Sequence, residues 1–148
     1  MFASNALGWW APQLRAGNVV RWPHLAAPTA LIDERDIAAV GVRALCDDGH
    51  AGAEYVLTGP HSLSQFEQLS TIGRATGRSL RIEAMSPDVA RREWAPSWPP
   101  PVIDMLLDAW AAAIGLPAFV TSTFEEITGA PARTFYEWAV DHAAEFRL

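Results

Sequence analysis

The sequence predicts an α/β chain of the α+β kind, rich in helix and carrying a small sheet of few strands. Three observations lead there. Its 148 residues are half hydrophobic and 19% charged, which suits a single domain over 1–148 with its own core and excludes a disordered chain. Several segments repeat apolar residues at helical spacing, starting at Ser, Thr or Asp and stopping at Gly. The β-favouring runs are short and are closed by Pro, Gly or a polar turn.

The assignment begins with VVRW (19–22), a short strand closed by Pro23. Ala30 to Ile32 reads as extended, and Asp33 or Asp36 caps a helix that carries Ile37, Val40, Ala44 and Leu45 on one face and stops at Gly49. EYVLTGP (54–60) is the best strand, punctuated by Gly59-Pro60. Ser64 with Glu67 forms a capping box, Phe66, Leu69 and Ile72 make the buried stripe, and Gly77 ends that helix. LRIEAM (80–85) alternates like a strand, and Ser86-Pro87 opens a further helix with Pro at its first position. WAPSWPPP (94–101) is a Pro-rich joint. VIDMLLDAWAAAIG (102–115) is helical, with Val102, Ile103, Leu106, Leu107, Trp110 and Ile114 on a broad face. Ser122/Glu125 and Thr134/Glu137 are two more capping boxes, one for a short helix ending at Gly129 and one for the last helix, TFYEWAVDHAAEF. The order is thus β, β-α, β-α, β-α, then helices only.

Charge and cysteine content narrow the function. The net charge is −6 and all 11 cations are Arg, with no basic stripe to neutralise a phosphate backbone; nucleic-acid binding is not expected. A single cysteine, Cys46, excludes an internal disulfide and reads as a small hydrophobe on a helix. The apolar stretches are too short to span a bilayer, and the N-terminal residues lack a basic start and a small-residue cleavage site. A cytoplasmic protein without membrane contact is expected. The four histidines, His24, His50, His61 and His142, show no metal-ligand spacing, so no metal is expected.

Several pieces together carry a resemblance. ALIDERDIAAV, the run YVLTGP leading into SLSQFEQ, and the ending TGAPARTFYEWAVDHAAEF look like the C-terminal half of NmrA-like proteins, atypical short-chain dehydrogenase/reductases. MFASNALGWW resembles the segment after the sixth sheet strand there, which leads into an Asn, here Asn5. The resemblance covers essentially the whole chain and implies a truncated Rossmann-type fold, its substrate-side region. In that family a Gly-rich strand-turn-helix holds the dinucleotide. No GxGxxG or GxxGxxG occurs here, and the Tyr-x-x-x-Lys pair is absent; the resemblance therefore implies a chain with no cofactor site of its own. It also implies that strands such as 54–60 lose sheet neighbours, which self-pairing, a second copy or another chain must restore. A homodimer through strand or N-terminal segment exchange is the expectation.

Candidate chemistry is sparse. Asp33 and Asp36 flank Arg35 at a turn into a helix, where they serve either a substrate or helix capping. His24, in WPHLAAP, is a candidate acid/base beside Trp22, or a solvated loop residue. Asp104 and Asp108 share a helix face that reads as solvated. Of the seven tryptophans, Trp110 and Trp138 read as core. Trp9, Trp10, Trp22, Trp94 and Trp98 lie near loops and, with Asn5, are candidates to bind a small apolar or aromatic molecule. The expected function is a small-molecule enzyme working without its own NAD(P) site, by cofactor-independent cyclisation, isomerisation or dehydration of an apolar metabolite. The alternatives are a partner-dependent fragment of an NAD(P)-dependent oxidoreductase and a non-catalytic ligand-binding regulator.

Overall fold

The computed structural model describes residues 1–147. Its elements run α1 (Asn5–Ala16), β1 (Val19–Trp22), β2 (Pro28–Thr29), α2 (Glu34–Cys46), β3 (Leu63–Ser64), α3 (Gln65–Thr76), β4 (Arg81–Ala84), α4 (Pro87–Trp94), α5 (Pro100–Ala113), α6 (Thr123–Thr128), α7 (Phe135–Asp141) and a final 3-10 turn (Ala143–Phe146). The helix-rich α/β class holds, with two minimal sheets. β1 and β4 pair in parallel, Val19 opposite Arg81 through Trp22 opposite Ala84. β2 and β3 pair antiparallel over two residues, and an isolated parallel bridge joins Phe2 to Ile32.

Local chemistry explains most helix ends. Ser64 accepts the Glu67 N–H while the Glu67 carboxylate accepts the Ser64 N–H at 2.7 Å, and Gly77 closes α3 at positive φ. Thr134 and Glu137 repeat the arrangement at α7. Ser86 accepts the Val89 N–H at the start of α4, where Pro87 occupies the first turn. Glu67 and Glu137 are held below the usual carboxylate range, Glu67 chiefly by the hydroxyl of Ser64 and Glu137 chiefly by the backbone N–H of Thr134.

The core gathers Trp10, Leu14, Leu69, Ile72, Ile103, Leu107, Trp110, Trp138 and Phe146, all nearly inaccessible. Arg78 fastens its lower edge: Nη1 donates to the Phe146 carbonyl at 2.9 Å, Nε to Asn18 Oδ1 at 2.8 Å, and Nη2 to the Gly17 carbonyl. One guanidinium thus joins the end of α1, the turn after it and the last turn of the described chain.

Several expectations need correction. Residues 54–60 form no strand. The segment is fixed by the Gly59 N–H to the Ala30 carbonyl at 3.2 Å and by the Thr121 N–H to Thr58 Oγ1 at 2.9 Å. Among the described residues it joins neither sheet, and Val56 is 60% exposed. A helix, α1, occupies residues without a sequence assignment; it carries Pro12 inside and no side-chain cap at Ser4, yet buries Ala6, Trp10, Ala11 and Leu14 along one stripe. On α2 the packed face is narrow, so Leu45 is 89% exposed and Cys46 lies at the surface rather than in the core. On α3 the buried stripe runs through Gln65, Gln68, Leu69 and Ile72 and leaves Phe66 outside; on α5 Ile114 falls past the helix end, exposed. Ser122 makes no cap to a backbone N–H and instead bonds the Glu126 carboxylate, while the last helix breaks at His142 into a 3-10 turn.

Candidate functional site

Four elements converge on one cavity of about 370 Å³, lined by Gly8, Trp9, Pro12 and Gln13 of α1, Arg21 and Trp22 of β1, Glu93 and Trp94 of α4, Ser97 and Trp98 of the joint, and Leu106 and Trp110 of α5. Its walls are five indoles. Trp22 sits at their centre, with ring centroids 4.8 Å from Trp94, 5.7 Å from Trp110 and 6.1 Å from Trp9, all tilted, while Trp110 meets Trp9 and Trp94 edge-on. Such geometries suit the positive edges and negative faces of aromatic rings. Trp98 stands in the Pro-rich joint between the two helices: α4 ends at Trp94, and Pro99 precedes α5, whose first turn holds Pro100 and Pro101 at fixed φ.

Polar groups are few and positioned. Pro12 has no N–H to offer the Gly8 carbonyl one turn back, and both residues belong to the lining. The Gln13 amide accepts the Arg21 N–H at 2.9 Å and donates to the Arg21 carbonyl at 3.3 Å, which pins β1 to α1. Arg21 Nη1 then meets Glu93 Oε1 at 3.0 Å. Glu93 lies in the last turn of α4, where the helix dipole disfavours an acid; Arg21 offsets that penalty. Behind the wall, Trp22 Nε1 donates to Gln65 Oε1, while the buried indole N–H groups of Trp10 and Trp110 have no partner.

The predicted site residues divide. Trp9, Trp22, Trp94 and Trp98 meet at the cavity, and Trp110, assigned to the core, is both buried and part of its lining. Trp10 does not line it: fully buried, it packs edge-on behind Trp9 and Trp22. Asn5 opens α1, half-buried and away from the lining. His24 also lies off the lining, in the β1–β2 connection with positive φ. Burial lowers its pKa, the Arg91 charge lowers it further, and Asp108 only partly opposes them, so His24 is neutral at pH 7. Gln13, Arg21, Glu93, Ser97 and Leu106 carried no signal, because they converge from positions far apart in sequence.

Asp33 and Asp36 stand elsewhere, in structural pairings. Asp33, 1% exposed, caps α2 by accepting the Arg35 N–H at 2.8 Å and pairs with the Arg35 guanidinium. Burial resists its ionisation, but the Arg35 hydrogen bonds prevail and hold the carboxyl below its ordinary value. Asp36, fully buried, accepts the Arg133 N–H at 2.7 Å and pairs with that guanidinium, tying α2 to the turn before α7. A depressed folded-state pKa stabilises above the unfolded value and loses that effect as pH falls through the folded value. Asp33→Asn keeps a capping oxygen but no charge. In urea unfolding wild type will therefore be the more stable at neutral pH, with the gap closing as pH drops below 3.8. A pH-independent gap would contradict this.

Comparison with known proteins gives these residues a lineage. The chain is 42% identical over 146 residues to the (4-alkanoyl-5-oxo-2,5-dihydrofuran-3-yl)methyl phosphate reductase of Streptomyces griseus subsp. griseus, covering 98% of this chain and 51% of that protein. The chain is homologous to the NmrA-like atypical reductases. An NAD(P)H azoreductase of Xenophilus azovorans is 39% identical over 117 residues, 78% of this chain and 41% of that one. The NADPH-dependent quinone oxidoreductase of Escherichia coli superposes with TM-score 0.76 at 21% identity, over 95% of this chain and 52% of that one, which establishes the shared fold. The chain spans about half the length of the curated relatives it matches. No family model matches it. Among the described residues of this NmrA-like chain no helix is long and apolar enough to cross a membrane.

Proposed function

We propose that this NmrA-like chain is the substrate-binding half of an NAD(P)H-dependent reductase and that its indole-walled cavity holds a planar, conjugated acceptor. The observation that carries the reading is the cavity itself: five indoles around about 370 Å³, on a chain 42% identical to part of a reductase whose named substrate is an unsaturated furanone bearing a methyl phosphate. The second relative reduces azo compounds with NAD(P)H. A dihydrofuranone ring and an azo bridge share a flat, electron-poor π system, and indole faces are the side chains best suited to stack on one.

The residues present do not fit a dinucleotide. Among the described residues no Gly-rich turn leads from a strand into a helix; Gly49 and Gly52, both at positive φ, follow α2 instead. This chain therefore contributes binding, orientation and exclusion of water, and its indole walls replace the hydration of a flat ligand. Cofactor-free isomerisation or cyclisation has weaker support, since Asp33 and Asp36 are committed to Arg35 and Arg133.

Tryptophan fluorescence tests the reading directly. Adding 1,4-naphthoquinone to the chain will quench emission saturably, and Trp98→Ala will weaken the binding about tenfold while leaving the fold intact. NADPH oxidation will appear only when the chain is joined to a dinucleotide-binding half. Absence of saturable quenching, or NADPH turnover by the chain alone, would overturn the proposal.

A further inference from the structure

β4 leaves one side of the parallel sheet open. The Arg81 N–H donates to the Asn18 carbonyl at 2.8 Å and the Met85 N–H to the Trp22 carbonyl at 3.1 Å, so residues 81, 83 and 85 turn their backbone groups toward β1. Backbone direction alternates along a strand, and Leu80, Ile82 and Ala84 therefore point their N–H and C=O groups the other way. No strand lies there among the described residues. Native edges are commonly blunted by Pro, bulges or charged side chains. β4 has no Pro, and its two charges are opposite and paired, Arg81 Nε to Glu83 Oε1 at 2.9 Å. Beside the edge lies a groove of about 250 Å³ lined by Phe66, Ser70, Gly73, Arg78, Leu80 and Ile82, with Phe66 49% exposed.

We infer that this edge is the docking surface for a second copy of the chain, whose β4 lies antiparallel against it about a two-fold axis at Ile82. The register selects the partner. The three residues with outward backbone groups are symmetric about Ile82, so Ile82 faces Ile82 of the second copy and Leu80 faces its Ala84, each pair exchanging both hydrogen bonds. Arg81 then falls opposite Glu83 of the second copy, and Glu83 opposite its Arg81, in the intervening pairs where side chains stand closest. The run Arg81-Ile82-Glu83 is thus its own charge complement, with four charges alternating in sign around the axis. On the other face the two apolar grooves adjoin, and Phe66, Leu80 and Ile82 lose water. Exposed ion pairs add little affinity; backbone bonds and apolar area supply it, while the charges fix the register. An isologous contact of this kind closes on itself and gives a dimer rather than a fibre.

Sedimentation equilibrium on the full chain will show a reversible monomer–dimer equilibrium at micromolar concentration. Arg81→Glu sets two like-charge pairs across the axis and will raise the dissociation constant about tenfold or more. Glu83→Arg will do the same. Mixed in equal amounts, the two variants will restore the dimer, because each presents the charges that the other lacks; damage to the fold of each variant would give no such rescue. Ala84→Pro removes an outward N–H that no group of the described chain accepts, and it will weaken the dimer while circular dichroism stays unchanged. A wild type that remains monomeric to millimolar concentration would overturn the inference. So would a dimer indifferent to all three substitutions, or single variants that weaken it without rescue on mixing. The binding role of the indole cavity stands or falls separately, on the quenching titration.

Discussion

Trp22→Ala will destabilise the chain by about 3–5 kcal/mol, the range for truncating a fully buried large aromatic. The residue is 3% exposed. Its ring lies within 6.1 Å of Trp9, Trp10, Trp94 and Trp110, so α1, α4 and α5 all rest on it. Truncation also withdraws the indole N–H from Gln65, whose other amide end has no partner. A buried amide with neither end satisfied is costly in its own right, by about 1–3 kcal/mol. Trp22→Phe separates the two effects: it keeps most of the ring packing and loses only the donor, so its penalty will be near the lower figure. Urea unfolding with an unchanged denaturant dependence measures both. A penalty for Trp22→Ala under about 1 kcal/mol would mean that the indole cluster does not support the core. Trp98, half-buried at the rim, is the counterpart whose loss affects ligand more than fold.

The second large effect comes from a residue with no side chain. A Cβ built on Gly59 falls 1.9 Å from the Leu31 carbonyl oxygen and 2.6 Å from its carbon. The obstacle is backbone, and Leu31 is itself buried beside Ile32, so neither strand of chain yields without moving core atoms. The same approach carries the Gly59 N–H to Ala30 carbonyl bond. Gly59→Ala will therefore cost about 3 kcal/mol or more, the upper range for overpacking, and thermal unfolding will report it as a lowered midpoint. Gly8→Ala, where a Cβ meets nothing within 4 Å, is the matching control and will leave the midpoint nearly unchanged. Equal behaviour of the two variants would contradict the close approach.

What the sequence made legible follows from how local each signal is. The capping boxes at Ser64/Glu67 and Thr134/Glu137, the Ser86-Pro87 start and the Gly77 and Gly129 stops are four-residue chemistry, and the structure forms each of those ends. α1 was illegible because Pro12 sits inside it and no cap announces it; burial of Trp10 and Leu14 decides its conformation. Residues 54–60 were misread for the opposite reason. Their side chains favour a strand, but a strand exists only through a ladder of backbone hydrogen bonds, and among the described residues 54–60 join neither sheet. The aromatic part of the site was visible as an excess of tryptophan. Its polar part was not, since Gln13, Arg21 and Glu93 meet across as many as 72 positions of sequence.

The Gln13 contact to β1 has a consequence beyond the cavity. A carboxamide is chemically a peptide group at the end of a short tether. By bonding both the N–H and the carbonyl of Arg21, it occupies the side of β1 turned away from β4, the place a further strand would take. The chain thus carries its own counterfeit neighbour. Any second chain that extends the sheet at Arg21 must first evict the amide, and a change at Gln13 would loosen the ligand rim and open a sticky edge in the same stroke.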